Sequence, residues 1–290
     1  MTVLAAYLPE KGGRATLQLA AALARGLGLP LAVATVVPRP RETPSTARVA
    51  EGFTAWSRSW SQQAEGAARD YLAQIAPEVD VAVHHRSGRS TSAALVDLGM
   101  DLGAGLLVLG SSPDGQLGQV TIGSTAGRLL HSSPLPIALA PRGYRGPHGA
   151  LSRVTCAVAG EHVAVVARAQ TFARGMSVPL RVLTLAVRGR AVWTSAAGPG
   201  AEDEVLAAFR EQAGADIAAL RRRGALAPEV EGVVGSGPGW RDAVDSVDWE
   251  PSELLVVGSR PAGPVARVFL GSRATKIVRH APVPVVVLPG

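Results

Sequence analysis

The chain repeats itself, and the repeat limits its fold more than any other feature. Leu109-Gly110-Ser111-Ser112-Pro113 is answered by Val257-Gly258-Ser259-Arg260-Pro261. Ile122-Gly123-Ser124 is answered by Leu270-Gly271-Ser272, and Pro134-Leu135-Pro136-Ile137 by Pro282-Val283-Pro284-Val285. Pro141 has its partner in Pro289, and all these pairs share one offset of 148 (110 to 258). Earlier in each half, Arg25-Gly26 and Pro30-Leu31 match Arg174-Gly175 and Pro179-Leu180 at an offset of 149. Val3–Tyr7 matches Val154–Val158 at 151. A chain of 290 residues holds about two domains at roughly 100–200 residues each. The repeat therefore predicts domains over 1–142 and 152–290, with a linker at Pro141–Ser152 marked by Gly143, Gly146, Pro147 and Gly149.

Each half alternates strand and helix patterns. In the first, Val3–Leu8 is a short apolar run and Arg14–Leu27 has helical spacing, with Gly28 as its stop. Leu31–Val37 is a buried strand, and Pro38–Ser45 is a Pro-rich charged loop. Phe53–Ile75 reads as a long amphipathic helix whose stripe is Phe53, Trp56, Trp60, Ala64, Ala67, Tyr71 and Ile75. Packing in the core or between domains is expected of Trp56 and Trp60. Val79–His84, Leu106–Gly110 and Pro136–Ala140 are strands, and Thr91–Leu102 and Ser124–His131 helices. The second half repeats this, with Ala201–Arg223 as its long helix and Trp240–Val247 as a shorter one. Near-continuous apolar strands separated by helices predict α/β architecture: two tandem, open, twisted, five-stranded parallel sheets flanked by helices, of Rossmann-like type.

Composition narrows the function classes. One cysteine excludes an intrachain disulfide, and Cys156 falls in a predicted buried strand, as core rather than nucleophile. The N-terminus has no basic leader and no run of 18 apolar residues occurs, so a cytoplasmic protein away from membranes is expected. The net charge of +6 comes from scattered arginines, with Lys11 and Lys276 the only lysines, which argues against a nucleic-acid face. His84-His85 is expected to follow a strand as surface histidines without metal spacing. His131 and His280 sit at the ends of short helices, where a cation suits the dipole. Gly235-Ser236-Gly237-Pro238-Gly239 lacks the lysine of a phosphate loop and is expected to be a flexible turn. No nucleophile elbow or paired carboxylates stand out.

The candidate binding residues lie at the repeated motif. Gly110 and Gly258 end strands, where ligands of open parallel sheets sit. A loop follows, then Gly123-Ser124 or Gly271-Ser272 opens a helix whose amides and dipole suit an anion, with Ser124 or Ser272 as cap. The pattern of Gly, a loop, Gly-Ser, a short helix and a strand such as Pro284-Val285-Val286-Val287-Leu288 resembles the universal stress protein family, over the whole chain in two copies. The resemblance implies dimeric pairing of domains, internal in tandem chains or as a homodimer. It also implies a site for ATP or another adenine nucleotide with Mg, held by an Asp after the first strand and by G-x2-G-x9-G-[S/T].

This sequence departs from that pattern twice in each half. Leu8 and Ala159 stand at the Asp position, and Pro113 and Pro261 at the second Gly. Proline offers no N–H, and losing a charge-assisted hydrogen bond weakens binding by about 1.5–3 kcal/mol. The expected site residues are Gly110, Gly123, Ser124, Gly258, Arg260, Gly271 and Ser272, with no catalytic or metal-binding residue. Arg260, Arg267, Arg273 and Lys276 surround the second site, against Asp114 and Arg128 at the first, so an anion is expected to prefer the second. The expected function is a non-enzymatic stress-response module that senses a ligand or binds a protein partner. The alternatives are an ATP-binding stress protein with slow hydrolysis, and an interaction protein with vestigial sites. The loops at Pro38–Ala50 and Gly189–Gly200 are placed to act as lids or connectors.

Overall fold

The computed structural model describes residues 1–9, 13–38, 50–146, 150–160, 163–188, 201–259, 268 and 270–289. The chain divides into two compact units, Met1–Ala150 and Leu151–Gly290. The first unit runs β1 (Thr2–Ala6), α1 (Gly13–Leu27), β2 (Leu31–Pro38), α2 (Ala50–Ile75), β3 (Val81–Gly88), α3 (Thr91–Asp101), β4 (Ala104–Gly110), α4 (Ser124–Leu129) and β5 (Ile137–Ala140). The second runs β6 (Arg153–Val158), α5 (Val163–Gly175), β7 (Leu180–Val187), α6 (Ala201–Arg222), β8 (Glu231–Gly237), α7 (Trp240–Asp245), β9 (Glu253–Gly258), α8 (Ser272–His280) and β10 (Val285–Leu288).

Strand order is β3-β2-β1-β4-β5 in the first unit and β8-β7-β6-β9-β10 in the second, and neighbours within each unit are parallel. These are the two five-stranded parallel sheets that the strand and helix patterns predict. The central strands are apolar throughout because helices cover both faces. Val3, Leu4 and Ala5 of β1, and Leu254, Leu255 and Val256 of β9, are fully buried. In each unit the order reverses beside the central strand, between β1 and β4 and between β6 and β9. At such a switch point the strand ends splay and leave a crevice. Helix ends use the expected chemistry: Gly28 after α1 and Gly224 after α6 take positive φ, where only glycine is unstrained, and Leu29 and Ala225 return amide bonds to Ala24 and Leu220.

Three local readings need correction. On α2 the buried positions are Ala64, Ala68 and Leu72, with Ala76 just beyond the helix, while Trp56 is 53 % exposed and Ala67 faces solvent. Ala64 belongs to the expected stripe, but from there the core-facing line runs through Ala68 and Leu72 rather than Ala67 and Tyr71. His84 and His85 lie inside β3, which starts at Val81 and runs on to Gly88. Pairing with β2 along the full length of that strand, with His85 opposite Thr35, carries the strand past them. Gly235-Ser236-Gly237 belongs to β8 rather than to a flexible turn. A Cβ at Gly235 would stand 2.4 Å from the Ala243 carbonyl and one at Gly237 2.6 Å from Asp242 Cβ, so these glycines let α7 lie against the strand. The expected loops over 39–49 and 189–200 lie outside the described residues.

Candidate functional site

Each switch point opens into a cavity. The first, of about 340 Å³, is walled by the end of β1 (Ala6, Tyr7, Leu8), the end of β4 (Leu109, Gly110) and the start of α4 (Ser124, Thr125, Ala126). Gly13 and Thr16 of α1, Ala34 and Val36 of β2, Thr91 and Leu95 of α3, and the loop residues Ser111–Asp114 with Gly123 complete it. Gly13 is there because α1 starts hard against the strand end: a Cβ would lie 2.5 Å from the Leu8 carbonyl oxygen. The second cavity, of about 370 Å³, is walled by Ala157, Val158 and Ala159, by Val165, by Val257 and Gly258, and by Gly271, Arg273, Ala274 and Ile277. Gly258 lets α5 close on β9, since a Cβ there would stand 2.3 Å from Val165 Cγ2. Both volumes fall in the small-ligand range of about 300–1,000 Å³.

Of the expected site residues, Gly110, Gly123 and Ser124 line the first cavity and Gly258 and Gly271 the second. Ser272 is the first residue of α8 and is not among the described lining residues; Arg260, with Pro261 and Arg267, lies outside the described residues. Leu8 and Ala159, at the Asp positions, do line the cavities. The serines are not the caps. Gly123 (φ −77°, ψ 175°) and Gly271 (φ −68°, ψ 164°) are the N-cap residues, in extended geometry and with no side-chain cap bond. The glycine occupies the half-in position, so the serine that follows is already helical and cannot fold back on the amides ahead of it.

The loop between Gly110 and Gly123 is tied to itself. Ser112 N–H donates to the Thr121 carbonyl at 2.8 Å, Gly115 N–H to Ser112 at 3.1 Å, and Gly118 N–H to Arg142 at 2.9 Å. The Ser111 hydroxyl donates to the Ala140 carbonyl at 2.7 Å and accepts from Thr121 N–H at 3.2 Å. The Arg142 guanidinium donates to the Gly115 carbonyl. The amides of Ser112, Gly115, Gly118 and Thr121 are thus engaged inside the loop. The charges differ as well: among the described lining residues, Asp114 is the one charged side chain of the first cavity and Arg273 that of the second. Tyr7, Thr16, Thr91 and the staple Ser111 were not singled out in the sequence. The position of Tyr7 after the first strand and the repeat of Ser111 as Ser259 are the signals that could have flagged two of them.

A further polar cluster lies on β2, β3 and α2. His85 Nε2 donates to Glu65 Oε2 at 3.0 Å, because a carboxylate only accepts, and this leaves Nδ1 to accept from the buried Thr35 hydroxyl. The His85 bond, followed by that of Arg69, holds the Glu65 carboxyl below its ordinary value. Cys156 is buried in β6, and burial pushes its thiol up to about 12, so it is core. Among the described residues no group of three His, Cys, Asp or Glu could hold a metal ion, and no helix is long and apolar enough to cross a membrane.

Two parallel five-stranded α/β units, each with a cavity at its switch point, define a tandem Rossmann-like protein. The profile of the universal stress protein family matches residues 1–141 and again 153–289. Universal stress proteins of Mycobacterium bovis and Mycobacterium tuberculosis are each 45% identical over 293 aligned positions, covering all of this chain and all of theirs. A universal stress protein structure from Archaeoglobus fulgidus superposes with a TM-score of 0.65 at 17% identity, covering 99% of this chain and 97% of that one. The chain belongs to the universal stress protein family, as a tandem member.

Proposed function

We propose that this protein is a non-enzymatic stress-response module whose two nucleotide-type sites have diverged, so that the second unit senses a small anion of the adenine-nucleotide class. The observation that carries this reading is the opposite charge of the described side chains that line the two cavities, Asp114 in the first and Arg273 in the second. The Asp114 carboxylate lining the first cavity repels phosphate. Pro113 removes a backbone donor. Pro261 does the same in the second unit, so the carboxylate is what makes the first cavity the less favourable of the two for a triphosphate. In the second, Gly271 opens a helix of nine residues, and Arg273 stands within its first turn. Backbone amides, the helix dipole and a guanidinium there favour an anion together. Gly258 and Gly271 line the same cavity.

The test is the thermal midpoint with and without Mg-ATP, with ADP and sulfate as further probes. Ligand at about 100 times its dissociation constant stabilises by roughly 2.7 kcal/mol, a rise of about 5–10 °C for a unit of this size. The expected result is a rise with both nucleotides that Arg273→Glu abolishes and Asp114→Asn leaves in place. No rise with any probe at millimolar concentration would overturn the anion-sensing reading and favour a protein partner.

A further inference from the structure

The two cavities do not occupy the same part of their units. The first reaches across β2 and α3, where Ala34, Val36, Thr91 and Leu95 line it. Among the described residues, neither β7 nor α7 contributes to the second. The repeat accounts for the difference. At the offset of 149, Ala34, Val36 and Thr91 answer to Leu183, Leu185 and Trp240, each a bulkier apolar side chain. Trp240 is the first residue of α7, and the Lys276 ammonium of α8 lies over its ring, 5.4 Å from the centroid. The first unit therefore has a compartment that the second lacks. Its lining is also more polar. Tyr7, Thr16 and Asp114 answer, at offsets of 151, 149 and 148, to Val158, Val165 and Ala262. The helix that starts in its wall satisfies its own amides: Ala93 N–H donates to the Ser90 hydroxyl at 3.4 Å, and Ala94 N–H to the Ser90 carbonyl at 3.0 Å. That helix start offers an anion little.

We propose that the first unit binds a small organic amine, its apolar body between β2 and α3 and its ammonium on Asp114. This assigns the first cavity a ligand of its own, and it stands whether or not the second cavity takes a nucleotide. Body and head group are each selected by the lining. Leu8, Val36, Leu95 and Leu109 give apolar walls, and about 340 Å³ is room for a ring system. Asp114 is the one charged side chain among the described lining residues. A carboxylate only accepts hydrogen bonds, so a positive donor complements it best. A neutral alcohol keeps the hydrogen bond and gives up the charge. An acid of the same shape meets repulsion.

Three probes that share an indole body and differ in head-group charge test this: tryptamine, tryptophol and indole-3-propionate. Each is titrated into the full chain and followed by amide proton–nitrogen correlation spectra, with circular dichroism confirming the fold of each variant. Tryptamine is expected to bind at roughly millimolar strength, as a ligand of its size does. It should bind about three- to tenfold tighter than tryptophol, a charge-assisted bond discounted for the exposure of Asp114, and indole-3-propionate weakest of the three. Asp114→Asn is expected to erase the preference for the amine while tryptophol binding holds. Thr91→Trp, which installs the bulk of the second unit, is expected to abolish binding of all three. Arg273→Glu is expected to leave tryptamine binding unchanged, so a failure of the anion reading in the second unit is seen separately. No binding of tryptamine at millimolar concentration would overturn the proposal. So would equal affinity for tryptamine and tryptophol, an amine preference that Asp114→Asn keeps, or binding that Thr91→Trp leaves intact.

Discussion

Glu253 is fully buried at the first position of β9, and the surrounding residues explain how a carboxylate survives there. Arg181 Nη2 donates to it at 2.6 Å and Arg153 Nη2 at 2.9 Å, the Thr155 hydroxyl donates to it, and Arg181 Nε donates to Thr155 at 2.9 Å. Removing one partner of such a pair strands the other in a dry interior, at about 3–5 kcal/mol. Glu253→Ala is expected to lower stability by that amount in urea unfolding; a loss under about 1 kcal/mol would mean that Arg181 finds water. At the repeat offsets of 148, 149 and 151 the first unit has Gly105, Ala32 and Leu4 for Glu253, Arg181 and Thr155, so one scaffold carries an ionic and an apolar solution. Glu65 gives a pH signature. Its carboxyl is held down by His85 and Arg69, so its stabilising effect is complete above the ordinary value of 4.5 and fades as pH falls through the lower folded value. The thermal-midpoint gap between wild type and Glu65→Gln is expected to close as the pH drops below that value; a widening gap would contradict the His85 bond. None of these partners was legible beforehand, because each bond joins residues far apart in sequence. Cys156 was legible, since a lone cysteine inside an apolar run is core, and it is expected to resist alkylation at pH 8 until the chain unfolds.

The strands were the readable elements. Runs such as Leu254–Val257 leave no choice of face, and their observed ends fall within a few residues of the pattern. The long helix was harder. Trp56 and Trp60 dominate any hydrophobic stripe by size, yet the surface packed on the sheet needs Ala64, Ala68 and Leu72 so that the helix can lie close. The Gly-Ser helix starts were legible as an element and misread in detail, because cap preference names serine while the backbone places glycine at the cap. Glycine at strand ends has an element-scale consequence. Gly258→Ala is expected to destabilise the second unit, because the new Cβ meets Val165 on α5, and adding Val165→Ala should recover most of the loss. If the double variant is as unstable as the single one, the close approach of α5 is not what requires glycine at 258.

Duplication explains the whole chain more economically than any single motif. It preserved strand order, cavity position and the Gly-Ser helix starts, and it let charge, buried ions and surface aromatics drift apart between the copies. The architecture was legible because two copies display the same spacing; residue types showed the charges at the two cavities but not the self-bonded loop of the first unit. Within its own unit each terminal strand, β5 or β10, is hydrogen-bonded to one neighbour and is apolar throughout. An apolar edge of this kind seeks a partner. Residues 1–150 expressed alone are therefore expected to self-associate or aggregate, as seen by light scattering, and a monodisperse monomer would count against that. The central claim is that one copy kept an anion site and the other lost it. Calorimetric titration of Mg-ATP into the wild type and into Gly123→Trp and Gly271→Trp tests it most directly. One site per chain, kept in Gly123→Trp and lost in Gly271→Trp, is the predicted result. Two equivalent sites, no site, or loss in Gly123→Trp alone would contradict it.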